Sequence, residues 1–303
     1  MSTPRTTENP QAFALFLRAQ NYARRLTRQD LEFALQMFSS ALTLDPRFAL
    51  ASAAVASVCA RLYYNFERDA TLLERARAAA DRASSLHPNL PEVQVAQGWV
   101  HYATGGYEEA VRRVRKAVEI DPRCEGAYYL LGSSLFAAGR YDEAAATVEP
   151  ALAASGDDYN VYIPLLNSLG ALGRADLQAA VRVRMIRALQ QHLERTPGDA
   201  RARMHLALQL ANEGRIDASL REVRLAMSLR AGEATVLYNA ACVFCLLRRR
   251  EDALDALRRS RDAGFQEADW ARRDPDLAFL HGDPEFDRLY PGDPPERLAP
   301  PAA

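Results

Sequence analysis

Residues 91–122, PEVQVAQGWVHYATGGYEEAVRRVRKAVEIDP, lie over residues 125–154, EGAYYLLGSSLFAAGRYDEAAATVEPALAA, at an offset of 34 positions. Gly98 falls on Gly132, Ala110 on Ala144, Val114 on Val148 and Ala117 on Ala151. A unit of this length, made of paired helices, cannot bury its apolar face alone and must stack on copies of itself. In the second copy Tyr128, Leu131, Gly132 and Leu135 recur at helical spacing, Gly139-Arg140 forms a loop, and Ala144, Val148 and Ala151 mark a second helix. Small residues at 132, 144 and 151 allow close backbone approach. Asp121-Pro122 stops the preceding helix, because proline lacks an amide donor and pushes the residue before it out of helical geometry.

These residues resemble the tetratricopeptide repeat pattern W-x2-L-G-x2-Y followed by A-x3-F, A and P, with Tyr128 at the Trp position and Val148 at the Phe position. The resemblance implies an all-α fold, an α-solenoid of about seven helix pairs in a right-handed superhelix with a C-terminal cap. Repeats are expected at 11–46, 48–88, 91–122, 125–156, 159–197, 199–231 and 233–264. The first, second and fifth carry extra residues at a loop or helix end. Leu206, Ala207, Leu210, Gly214, Val223 and Ala226 repeat the plan, as do Leu237, Ala241, Phe244, Ala253, Leu257 and Ser260. Residues 1–10 and the proline-rich 291–303 are expected to be disordered. Residues 265–290, with Asp274-Pro275 and Asp283-Pro284 each starting a short helix, are expected to cap the stack. This closing part resembles the repeat arrays of bacterial signalling and regulatory proteins.

Composition narrows the functional classes. Against 39 acidic residues stand 38 basic ones, a formal charge of -1, so there is no overall field to attract nucleic acid or an acidic membrane. Lys116 is the only lysine. The arginine-rich balance follows more simply from a GC-rich coding sequence than from selection for guanidinium chemistry. No apolar run reaches the length of a membrane span, and the four cysteines are too few for a stapled secreted fold, so a cytoplasmic location is expected.

Catalytic signals are absent from the reading. Cys242-x-x-Cys245 falls in mid-helix, away from the helix start that lowers a thiol pKa in redox motifs, and no further ligands accompany it. The two cysteines read as small packing groups. Histidines 87, 101, 192, 205 and 281 form no zinc-helix pattern, and no glycine-rich phosphate loop occurs. Arg112, Arg113, Arg115 and Lys116 lie among Glu108, Glu109 and Glu119, which reads as a solvated, ion-paired face. The expectation is a protein with no catalytic residues, no metal and no cofactor.

The resemblance implies that the first helix of each pair lines a concave face. Applied to this chain, that face comprises Val95, Trp99, Tyr102, Tyr129, Ser133, Phe136, Asn160, Ile163, Asn167, Arg201, Met204, Asn212 and Tyr238, with Cys242 beside the last. Aromatic side chains give large contact area at small entropic cost, and asparagine amides can pair with an extended backbone. Relatives that clamp a terminal carboxylate use groove lysines, and this face has none. The expected function is therefore a non-catalytic interaction scaffold holding an apolar or aromatic peptide, or a helix, of a protein partner. Nucleic acid and membrane are not expected partners. Two alternatives stand beside it: a homo-oligomeric structural adaptor, and a ligand-sensing regulatory arm of a bacterial signalling system.

Overall fold

The computed structural model describes residues 7–156, 158–265, 271–272 and 274–291. Among these residues there are helices and turns but no strands. Two compact units divide the chain, Met1–Arg182 and Val183–Ala303.

The N-terminal unit is a run of helix hairpins. Helices α1 (Pro10–Ala23) and α2 (Arg28–Leu44) form the first, α3 (Ala49–Asn65) and α4 (Ala70–Leu86) the second, and α5 (Pro91–Ala103) and α6 (Tyr107–Ile120) the third. In the fourth, α7 (Ala127–Ala137) faces two short helices, α8 (Tyr141–Ala146) and α9 (Val148–Ala154). A 3-10 turn at Tyr159–Val161 leads into α10 (Tyr162–Ala171), and α11 (Ala175–Arg195) begins in this unit and continues past its boundary.

Capping chemistry sets many of the starts. The Asn9 side chain accepts from the Gln11 and Ala12 amides, at 3.0 and 3.1 Å, with Pro10 at the first helical position. Thr27 and Asp69 cap α2 and α4 in the same way. Residues 7–10, expected to lie in a disordered leader, are instead tied down: Thr7 is buried and its hydroxyl donates to Asp45. Residues 1–6 and 292–303 lie outside the described residues.

Packing explains the repeat's small residues. A Cβ added at Gly98 would lie 2.5 Å from Val114 Cγ2 and 3.2 Å from Leu130, so the glycine sits where its own hairpin meets the next. At Gly132 the obstacle is Pro164, 2.9 Å away, in the following repeat. Ala110, Val114, Ala117, Ala144 and Ala151 are fully buried.

The second helix of the fourth repeat departs from the single helix read from Ala144, Val148 and Ala151. It breaks at Thr147 into α8 and α9. Pro150 is the cause, since it offers no amide to the Ala146 carbonyl and its ring crowds that carbonyl. All three marker residues stay buried on both sides of the break.

The C-terminal unit holds the rest of α11, then α12 (Ala200–Asn212) with α13 (Ile216–Leu229), and α14 (Ala234–Leu246) with α15 (Arg250–Asp262). A 3-10 turn at Pro275–Leu280 and helix α16 (Pro284–Leu289) follow. Asp274 and Asp283 cap these two short elements, each with proline at the next position. Leu277, Leu280, Phe286 and Tyr290 are buried in one core with Val243, Phe244, Leu254 and Leu257. The turn glycines Gly105, Gly139 and Gly214 have φ of 79, 74 and 70°. The matching turn after α14 places Arg248 in that left-handed region, with φ of 54°.

Candidate interaction surface

In the N-terminal unit the predicted residues Trp99, Tyr102 and Tyr129 belong to an aromatic cluster on α3, α5, α6 and α7. The Trp99 ring lies 5.6 Å from Tyr102, edge-on, and 6.1 Å from Tyr129. Tyr102 also meets Tyr64 at 5.0 Å and Tyr107 at 5.5 Å. Two guanidinium groups stack on the cluster. Arg61 stands 4.5 Å from the centre of the Trp99 ring, and Arg68 lies 5.0 Å from Tyr64 and 5.1 Å from Tyr63. Burial, and then the neighbouring Tyr64 hydroxyl, raise the Tyr102 pKa, so this phenol stays neutral.

The predicted residues divide by accessibility. Tyr102, Tyr129, Ser133, Phe136, Asn160 and Ile163 are half-buried, and Asn167 is exposed, on α5, α7, the 3-10 turn and α10. Phe136 packs at 5.3 Å on Tyr141. Asn160 is engaged with Asp158, its amide nitrogen donating at 2.7 Å. Val95 and Trp99 are placed differently: they are 6% and 3% exposed, which makes them the floor beneath the face and not its surface. The Trp99 indole nitrogen is buried and has no hydrogen-bond acceptor among the described residues.

In the C-terminal unit, Arg201 is half-buried and Asn212 exposed, whereas Met204 is 5% exposed and Tyr238 4%. Tyr238 is covered by the chain's own later residues. Its hydroxyl donates to Asp274 at 2.6 Å, and Phe265 stacks on its ring at 4.2 Å. Cys242 lies beneath the same cover, 3.9 Å from Asp274. Burial first, and then the charge of Asp274, push the Cys242 thiol up and carry Cys245 to about 12. Both are therefore protonated, poorly nucleophilic packing groups. Among the described residues no cluster of His, Cys, Asp or Glu is arranged to hold a metal ion.

Several neighbours of the aromatic cluster escaped the sequence reading. Tyr63, Tyr64 and Arg68 lie in or beyond the extra turn of α3, which has 17 residues where α5 has 13, so counting positions on a 34-residue template passes over them, and Arg61 comes just before that turn. A second feature had no local signal at all. Arg24, just after α1, forms a two-pronged pair with Glu125, just before α7, at 2.6 and 2.8 Å. The basic run on α6 is ion-paired: Arg112 and Arg113 both meet Glu109, and Arg115 meets Glu143. Hydrogen bonds from Arg140 and then Arg115 hold the Glu143 carboxyl down to about 2.

Residues 95–159 match the family model described as tetratricopeptide repeat. That stretch carries tetratricopeptide repeats. Solved structures with some similarity are found as well. YrrB, described as a tetratricopeptide repeat protein with an unusual peptide-binding site, is 25% identical over 67% of this chain and 97% of its own, with a TM-score of 0.41. A tetratricopeptide repeat protein from Parabacteroides merdae is 13% identical over 89% of this chain and 99% of its own, with a TM-score of 0.49. A chain of the APC/C hetero-tetramer Cut9–Hcn1 is 17% identical over 92% of this chain and 53% of its own, with a TM-score of 0.62. No curated protein matches. Tetratricopeptide stacks are protein-interaction scaffolds, in which neighbouring repeats build an extended surface for a partner. No helix among the described residues is long and apolar enough to cross a membrane.

Proposed function

We propose that this tetratricopeptide protein is a non-catalytic scaffold that holds an apolar or aromatic peptide segment, or a helix, of a protein partner on the first-helix face of its N-terminal unit. The observation that carries the reading is the row of half-buried side chains Tyr102, Tyr129, Ser133 and Phe136 on successive first helices, above a floor formed by Trp99. Half-buried aromatics are already ordered by their neighbours, so a ligand gains contact area with little further loss of side-chain freedom. Asn167 adds an exposed amide at the end of the row. A cytoplasmic setting belongs to the same reading, which the free, buried cysteines support.

A displayed random-peptide library selected on the whole protein tests this. Peptides recovered on the wild type are expected to bind the Tyr129→Ala/Phe136→Ala protein at least tenfold more weakly, with its helical circular dichroism unchanged. Equal affinity for both proteins would remove the face from consideration.

A further inference from the structure

The Arg24–Glu125 pair joins residues 101 positions apart in sequence, about three repeat periods. It ties the turn after α1 to the start of α7 within one unit, and both side chains are 56% exposed. Immediately next to Glu125, Gly126 adopts φ of 73°, and a Cβ added there would lie 3.6 Å from an Arg61 terminal nitrogen. Arg61 in turn covers the Trp99 ring. These residues therefore neighbour one another in a line, from Arg24 through Glu125 and Gly126 to Arg61 and the indole. Trp99 is 3% exposed, although it sits on the first helix of its repeat between two half-buried tyrosines.

From this line of neighbours we infer that Arg24 and Glu125 form a strap that holds the N-terminal unit closed over Trp99, and that releasing the strap uncovers the indole. Repeats in a stack touch only their neighbours, so curvature is the sum of small rotations and is soft. A contact that skips two repeats acts on that whole sum. An exposed two-pronged arginine–carboxylate pair shifts such an open–closed balance by about two- to fivefold, and salt weakens it. Closure is thus set by charge and ionic strength. The closed state itself does not depend on the proposed peptide face; only its consequence, control of access to that face, rests on that reading.

Tryptophan emission reads the strap directly. Trp99 and Trp270 are the two tryptophans, so Trp270→Phe leaves Trp99 as the sole reporter, with Trp270→Tyr used if the first substitution lowers helical circular dichroism. Acrylamide quenching is then measured for this protein, for Arg24→Glu, for Glu125→Arg, and for the two charge reversals combined. In low salt, each single reversal is expected to raise the quenching constant of Trp99 at least twofold. The exchanged pair is expected to return it to the parent value, and 1 M salt to raise the parent towards the single variants. Equal quenching in all four proteins, or raised quenching that the exchanged pair fails to reverse, would overturn the strap. If quenching behaves as expected while Tyr129→Ala/Phe136→Ala leaves peptide affinity unchanged, the strap stands and the peptide face does not.

Discussion

The two units treat the same first-helix positions in different ways. Tyr129 on α7 stays half-buried and is flanked by side chains that other molecules can reach. Tyr238 on α14 is 4% exposed and gives its hydroxyl to the buried Asp274. A repeat position therefore fixes which helix face a residue is on, but the segment that follows decides whether that face remains a surface or becomes core. In the C-terminal unit the chain after α15 supplies Asp274, Leu277, Leu280 and Phe286 and converts the face to interior. In the N-terminal unit Arg61 stacks on the indole, with the rings of Tyr102 and Tyr129 beside it.

The largest test of this contrast compares two phenylalanines. Phe286, 2% exposed, is expected to cost about 3–5 kcal/mol on truncation to alanine, because the lost transfer energy adds to that of a cavity. Phe136→Ala, on the half-exposed face, is expected to cost under about 1 kcal/mol. Urea denaturation of both proteins, followed by circular dichroism, measures the difference. Similar costs would show that the face of the N-terminal unit is as much core as its counterpart.

The Tyr238–Asp274 bond comes next. Tyr238→Phe keeps the ring stacked on Phe265 but leaves a buried carboxylate oxygen with the weak, distant Cys242 thiol in place of its hydroxyl donor, for an expected loss of about 1–3 kcal/mol in the same assay. A loss below a few tenths would mean that apolar packing alone holds the closing segment.

Acid provides the smallest effect. Burial, and then the nearby Arg201, lower the His205 pKa to about 3. A histidine that stays neutral when folded but gains a proton when unfolded contributes its full stability above the ordinary imidazole pKa, near 6.5, and loses it as pH falls from there towards 3. Lowering pH from 7 to 5 is expected to cost up to about 2 kcal/mol, and His205→Gln is expected to remove most of that slope. A slope unchanged by the substitution would assign the acid sensitivity to other groups.

Much of the fold was legible because the repeat carries its physics in small residues. Gly98 and Gly132 sit where a Cβ would strike the neighbouring helix, and the periodic alanines are buried. Pro150 is a helix breaker in plain sight, yet the spacing of Ala144, Val148 and Ala151 runs straight across it and points to one helix. The site was harder to see. Position counting puts Trp99 and Tyr238 on the face, but exposure depends on what covers them: Phe265 and Asp274 belong to the irregular closing segment, and Arg61 reaches over from the neighbouring repeat. The Arg24–Glu125 pair is set by how several repeats add up, which no local pattern records.

The central claim is that the N-terminal unit presents the binding face. One titration tests it most directly: a library-selected peptide is measured against the wild type, Tyr129→Ala/Phe136→Ala in the N-terminal unit, and Arg201→Ala/Asn212→Ala in the C-terminal unit. The account predicts at least tenfold weaker binding to the first variant and less than twofold change for the second. Loss confined to the second variant, or to neither, would contradict it.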